Sequence, residues 1–306
     1  MDRLDAMSTV LAVVEAGSLS AAARRLNTPL ATVSRKVSEL ETHLRAKLFD
    51  RSSRKLVLTD AGTTYVAAAK RILADISEAE RVAAGEYTAP TGELIVTAPV
   101  GLGRLYVIPL LTDFLRAYPD IDVRLVLADR VISLLEDQVD VALRIGVLPD
   151  SSMMATRVGA TRRVVCASPT YLAARGTPRA PEDLAGHDCI TYAGFVATDV
   201  WTFVRAGADV AVPVRSRLVV GSVEAACDAA RAGIGITTAF SYHVEAALEA
   251  GTLTTVLDAF QPPALPISLV YTAGRFLPIK LRAFLDFSTP RLKARMASVI
   301  GSDAPR

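Results

Sequence analysis

Two short helical patterns joined by a tight turn, then a basic strand-like segment, fill residues 18–58, and few small folds accept that order. Ser20 reads as an N-cap for the first pattern, which runs through Ala21-Ala22-Ala23-Arg24-Arg25-Leu26 and stops at Asn27. Thr28 is expected to cap the second, with Pro29 in the first helical position, where a missing N–H is no loss. Val33, Val37, Leu40 and Leu44 then recur at steps of four, three and four, which makes one apolar stripe. Leu30, Thr32, Ser34, Arg35 and Lys36 lie off that stripe near the helix start. A helix anchored in this way presents short polar and cationic side chains from its N-terminal half. Taken alone, such a helix is more often an ordinary solvated surface element; its neighbours decide the matter.

The next segment weighs on the other side. Ser52-Ser53-Arg54-Lys55 separates Leu48-Phe49-Asp50-Arg51 from Leu56-Val57-Leu58, the pattern of a turn between two short strands. Residues 28–55 hold seven Lys or Arg against three acids, a net +4, while the whole chain is only +2. Positive charge gathered there is the footprint of a winged helix-turn-helix on double-stranded DNA, with the second helix in the major groove and the wing on phosphates. The expected contacts are Ser20, Thr28, Pro29, Leu30, Thr32, Ser34, Arg35 and Lys36 from the helices, and Arg51, Ser53, Arg54 and Lys55 from the wing.

At this point the chain resembles the LysR-type transcriptional regulators. The resemblance rests on Ala22-Ala23, Leu26, Val33-Ser34, Leu40-Glu41, Leu48-Phe49, Arg51, Arg54 and Leu58-Thr59-Asp60-Ala61-Gly62, in fixed register. Two departures stand out. Pro29-Leu30-Ala31 replaces the family's common Ser-Gln-Pro, and Arg45 replaces the usual Gly after the recognition helix. The first removes a Gln able to read a base, so the family's sequence preference does not carry over.

From Thr59, a fitting N-cap, one long helical pattern follows. Tyr65, Ala69, Ile72, Ile76, Ala79 and Ala83 form a narrow, heptad-like seam. Such a seam wants a helical partner, either the N-terminal helix of the same chain or a second copy. The resemblance implies the latter: a linker helix over 59–87 that builds a homodimer, assembling further into a homotetramer, with a hinge at 88–91. Paired recognition helices then read two half-sites.

A hydrophobic content of 51% with 22% charged residues lets 306 residues bury several cores. No run of eighteen apolar residues occurs, so no membrane helix is expected, and Asp2, Arg3, Asp5 and Glu15 suit an amphipathic helix better than a signal peptide. Cys166, Cys189 and Cys227 form no CxxC pair, and with three His no metal cluster emerges, which fits core thiols in a cytoplasmic chain. Gly101-Leu-Gly103 and Gly233-Ile-Gly235 complete no GxGxxG, and neither a GxSxG elbow nor an HExxH occurs, so neither an enzyme nor a bound cofactor is expected.

Beyond Gly92, strand patterns at 94–98, 123–128, 139–145, 164–167, 214–220, 235–238 and 267–271 alternate with helical ones at 105–117, 131–136, 169–175, 223–232, 242–249 and 279–291. Such alternation predicts doubly wound α/β units around parallel sheets, and this length favours two subdomains with a cleft. The expected architecture is therefore an N-terminal winged helix-turn-helix over 1–58, the linker helix, and a two-subdomain α/β effector domain over 92–306. The family's effector domain, similar to periplasmic solute-binding proteins, implies one subdomain from 92–161 and 266–306 and another from 162–265.

Open α/β sheets bind ligands beyond the carboxyl ends of their strands. That rule selects Pro99, Val100, Gly101 and Leu102; Ala128 and Asp129; Arg144 and Ile145; and Ser222 and Val223, with Thr237 a weaker candidate. Trp201, the single Trp, fits a cleft wall or a core equally. Helix N-termini and Arg144 would favour a small anionic or strongly polar effector. The resulting expectation is a DNA-binding regulator answering to a small molecule, with RNA polymerase as a partner for an activator. A small-molecule binding protein and an architectural DNA-binding protein without an effector stand as alternatives.

Overall fold

The computed structural model describes residues 2–50, 56–83, 89–130, 134, 137, 139–147, 153–192, 199–272 and 277–301. The chain divides into two compact units, Met1–Ala89 and Pro90–Arg306.

The first unit contains helices α1 (Arg3–Ala16), α2 (Leu19–Arg25) and α3 (Leu30–Leu44), strands β1 (Phe49–Asp50) and β2 (Val57–Leu58), and helix α4 (Asp60–Ala83). The apolar stripe of α3, with Val33, Val37 and Leu40 buried, meets Ala6, Val10 and Val13 of α1, Ala22 of α2, and Leu48 and Phe49. β1 and β2 pair antiparallel through Phe49↔Leu58 and Asp50↔Val57 and form the base of the wing. The wing turn itself, with Arg51, Ser53, Arg54 and Lys55, lies outside the described residues.

The helix starts differ from expectation. Ser18, not Ser20, caps α2, its hydroxyl accepting the Ala21 N–H at 3.1 Å. Thr28 does not cap α3, because its hydroxyl donates back to the Leu26 carbonyl at 3.0 Å. Pro29 stands just before the helix rather than inside it. The turn is made by Asn27 at φ 48°, and α3 ends on Arg45 at φ 52°, both left-handed. Arg45 thus occupies the conformation that favours Gly, which costs a side-chain-bearing residue about 1–2 kcal/mol. Arg45→Gly is expected to stabilise this unit by about 1 kcal/mol, read as a higher denaturant midpoint with unchanged slope.

Thr59 does cap α4, accepting the Gly62 N–H at 2.9 Å. The seam of α4 splits in two. Tyr65 packs against the core of the first unit, and Ala69 is buried. Ile72, by contrast, is 41% exposed and Ile76 is only half-buried. The side chains of Ala79 and Ala83 lie outside the described residues.

Among the described residues, the second unit holds two five-stranded sheets. The first is built from β3 (Gly92–Ala98), β4 (Ile121–Leu127), β5 (Val141–Ile145), β6 (Met153–Thr161) and β14 (Leu265–Thr272), in the order β4-β3-β5-β14-β6. The second is built from β7 (Arg163–Ala167), β8 (Cys189–Tyr192), β11 (Ser216–Val220), β12 (Ile236–Phe240) and β13 (Thr254–Val256), in the order β11-β8-β12-β7-β13. A hairpin of β9 (Val200–Arg205) and β10 (Ala208–Pro213) turns at Ala206 and Gly207, both at positive φ.

Neither sheet is purely parallel, contrary to expectation. β3 runs parallel to β4 and β5, but β14 is antiparallel to both β5 and β6. β8 runs parallel to β11 and β12, while β7 is antiparallel to β12 and β13. The cause is the double crossing: β6 and β7 carry the chain out of the first sheet through Arg162, and β14 must return between strands already placed.

After β3 come a one-turn helix α5 (Val100–Leu102), a π-helical turn (Gly103–Val107) and α6 (Ile108–Ala117). Then follow α7 (Pro169–Arg175), α8 (Val223–Arg231), α9 (Ser241–Glu249) and α10 (Ile279–Gly301), which passes through Pro290. Most of the helix expected at 131–136 lies outside the described residues.

Candidate DNA interface and effector site

The N-terminal half of α3 offers an exposed Leu30, Ala31 and Arg35, with Thr32 and Ser34 half-buried beside them. Burial of the opposite stripe determines which face is left free. Among the described residues, Arg35 pairs only with Glu39 one turn on, at 3.2 Å and in solvent, a contact that DNA phosphates can displace. Ser20 is exposed on α2. Lys36 departs from its expected role: its ammonium meets Asp5 on α1 at 2.6 Å, with the side chain 25% exposed, so it ties α1 to α3.

Glu41, part of the Leu40-Glu41 match to the family pattern, has a physical role in the fold. Its side chain is 1% exposed. Its carboxylate accepts the Leu48 N–H at 2.8 Å and the Phe49 N–H at 3.3 Å, and Lys47 donates to it at 3.1 Å. One buried carboxylate thereby holds the strand of the wing against the recognition helix. Burial by itself would push the carboxyl up, but the Leu48 amide, Lys47 and the Phe49 amide together hold it below its ordinary value.

In the second unit, the expected ligand residues divide. Pro99 leads from β3 into α5, whose first amide, Val100, donates to the Asp129 carboxylate at 3.0 Å. The structure brings those two predicted residues together, but in doing so it places a carboxylate where an anionic effector was expected. Leu102 is fully buried in the core of the first sheet and Ile145 packs against that core. Ala128 donates its N–H to the Ala98 carbonyl at 3.0 Å and packs against a small cluster around Leu134. Arg144 is half-buried on β5 opposite Ser268, and burial pushes its guanidinium down from the usual arginine range.

Ser222 caps α8, accepting the Ala225 N–H at 3.2 Å, and Val223 packs on a core of the second sheet. Burial decides two other candidates. Thr237 is fully buried, its hydroxyl donating to the Ile190 carbonyl at 3.0 Å. Trp201, 6% exposed, packs with Leu184, Phe203 and Val212 in a core, not on a cleft wall.

What the sequence reading missed is a cavity of about 260 Å³ between the two subdomains. Gly101, Arg104 and Leu105 line it from the first; Glu224, Asp228 and Arg231 of α8 and His243 of α9 line it from the second. Gly101 alone among them was anticipated. A methyl group at Gly101 would run into the His243 ring, so the absence of a side chain permits this close approach. The side chain of His243 is 7% exposed, with Nε2 3.9 Å from Glu224. Burial lowers its pKa, only partly offset by Glu224, Asp129 and the Phe240 carbonyl, so the ring is neutral near pH 7. A signal existed in the pattern Glu224-x-x-Cys227-Asp228-x-x-Arg231, which places polar residues on one helix face, but nothing in it marks a cavity.

A recognition helix on a three-helix core with a two-stranded wing, joined to two linked α/β sheets, is the architecture of a DNA-binding regulator with a ligand-sensing domain. Residues 4–63 match the bacterial regulatory helix-turn-helix protein, lysR family, and residues 88–293 match the LysR substrate binding domain. The chain belongs to the LysR family of transcriptional regulators, which are not enzymes. It is 33% identical over 281 residues to an uncharacterized helix-turn-helix regulator of Haemophilus influenzae, covering 92% of this chain and 98% of that protein. A transcriptional repressor of Pseudomonas aeruginosa is 34% identical over 289 residues, 94% of this chain and 91% of that one. The solved structure of CrgA, a LysR-type regulator of Neisseria meningitidis, aligns with a TM-score of 0.60 at 32% identity, covering 94% of this chain and 98% of CrgA.

Proposed function

We propose that this regulator reads its operator through α3, holds the phosphate backbone through its wing, and changes its output when a small polar effector binds between the two subdomains. The observation that carries the DNA reading is the division of α3 into a buried apolar stripe and a free N-terminal face with Leu30, Thr32, Ser34 and Arg35. Arg35→Ala is expected to weaken operator binding by about 1–3 kcal/mol if it reads a base edge. Arg54→Ala in the wing should act alike on all sequences and lower the salt dependence. Gel-shift titrations at several salt concentrations separate the two; unchanged affinity and slope in both variants would remove this docking face.

The exposed Ile72 and half-buried Ile76, in line beyond the part of α4 that packs on its own unit, support a homodimer through the linker helix. Ile72→Asp with Ile76→Asp is expected to yield monomers in sedimentation, and a persistent dimer would assign assembly elsewhere. The wider reading includes a homotetramer, contact with RNA polymerase where the output is activation, and a cytoplasmic location. Among the described residues, no single helix is long and apolar enough to cross a membrane. Effector control follows from the cavity spanning both subdomains, because a ligand touching both can favour one arrangement of them.

A further inference from the structure

We propose that the cavity flanked by α5, α8 and α9 is the effector's seat, and that it selects a small zwitterion, an α-amino acid with a short apolar side chain. This rests on the reading that the effector binds between the two subdomains, and it names the ligand class.

The charges argue for two opposite groups on one ligand. Among the described residues, Arg104 makes no ion pair, and it enters the cavity from the first subdomain. Glu224, from the second, has among the described residues only the neutral His243 ring beside it, at 3.9 Å, and no ion pair. Asp228 and Arg231 satisfy each other at 2.7 Å. One cation on one wall and one anion on the other therefore stand uncompensated. A carboxylate alone would meet Arg104 but add repulsion at Glu224, and an amine alone would do the reverse. A zwitterion answers both with charge-assisted hydrogen bonds.

The remaining lining sets the body of the ligand. Leu105, Cys227, Ala247 and Leu253 are apolar or behave so. The Cys227 thiol, pushed up to about 12 by burial and by neighbouring Glu224 and Asp228, stays protonated and acts as a small hydrophobe. A volume of about 260 Å³ lies just below the roughly 300–1,000 Å³ of drug-sized sites, which suits a ligand the size of an amino acid. A plain anion at the start of α5 is disfavoured, since Asp129 already holds that amide. Direct closure of the cavity by an Arg104–Glu224 pair is the competing outcome, and it predicts no ligand preference at all.

The test is calorimetry on the full-length protein with L-valine and L-leucine as probes. Their single-charge counterparts, 3-methylbutanoate and 4-methylpentanoate, and isobutylamine and isopentylamine, serve as comparisons. At least one amino acid should bind, and its acid and amine counterparts should bind at least tenfold more weakly. Arg104→Gln should erase the advantage of the amino acid over the amine, and Glu224→Gln its advantage over the acid. A cooperative melt is first established for each variant, so a folding defect cannot imitate this reciprocal pattern. No binding of either amino acid, or equal preferences in both variants, overturns the zwitterion assignment. Gly101→Val tests the underlying reading separately. If some other small molecule binds the wild type and loses affinity in Gly101→Val, the cavity stands and only the ligand class fails. If bound ligands are indifferent to Gly101→Val, Arg104→Gln and Glu224→Gln alike, the cavity itself is excluded.

Discussion

Glu41→Ala is expected to destabilise the first unit by about 2–4 kcal/mol while leaving the melting of the second unchanged. The two amides that Glu41 accepts, Leu48 and Phe49, are buried, and Ala offers them nothing. An unsatisfied buried donor costs about 1–3 kcal/mol, so the amides account for most of the loss. The ion pair adds little, because Lys47 is itself in solvent. Glu41→Gln keeps one acceptor oxygen and should fall between wild type and Ala. The effect carries a pH signature. A carboxyl held below its ordinary value stabilises fully above the unfolded pKa, near 4.3, and loses that contribution as pH falls through the lowered value. The difference between wild type and Ala should therefore shrink only in acid. Denaturant titrations at pH 7 and pH 3 check it, and an equal gap at both would assign the loss to packing rather than to the ionised group. Operator affinity should fall in parallel, since β1 positions the wing.

Gly235→Ala is expected to destabilise the second unit by about 3 kcal/mol or more, at the upper end for overpacking. Gly235 sits where β12 begins beside β8, and Ile236 donates its N–H to the Asp188 carbonyl at 2.9 Å. A methyl group there would strike that same carbonyl, which is backbone and has no rotamer to escape into. Asp188 has little freedom to yield. Its buried carboxylate holds Arg217 at 2.6 Å and Arg175 at 3.3 Å, and its amide donates to the Tyr171 hydroxyl at 2.9 Å. Differential scanning calorimetry should show the second unit melting lower by several degrees, at roughly 2–4 °C per kcal/mol for a domain of this size. An unshifted melt would mean that β8 and β12 can separate at small cost. The same contact explains why Gly233-Ile-Gly235 is no phosphate loop. Gly233 closes α8 at φ 84°, and Gly235 admits a neighbouring backbone.

Elements with strong local signals were legible. The stripe of α3 in the sequence is the buried stripe in the structure, because a 3.6-residue period needs no distant partner to be recognised. Helix α7 falls on the expected 169–175, where Ser168 caps it and Pro169 opens it. Capping residues were less reliable. Ser18 and Ser20 are chemically equivalent caps, and only the entry of the chain from α1 into α2 selects Ser18. Strands β6 and β9 escaped notice because apolar residues also stand exposed on them, Met154 and Ala155 in β6 and Val200 in β9, which blurs the alternation.

What the sequence alone determined is the kind of protein: a basic winged helix-turn-helix, a long helix and an α/β domain, read from period, charge and motif register. Those properties belong to neighbouring residues and survive in a one-dimensional string. What only the tertiary structure decided is which side chains remain available. Lys36 turns to Asp5, Thr237 and Trp201 are consumed by cores, and Asp129 occupies the start of α5. Arg104 and Glu224, 120 positions apart in the chain, come to line one cavity. Availability is a matter of packing and pairing between distant segments, and it arises only when the two sheets, crossed twice by the chain, bring their helices face to face.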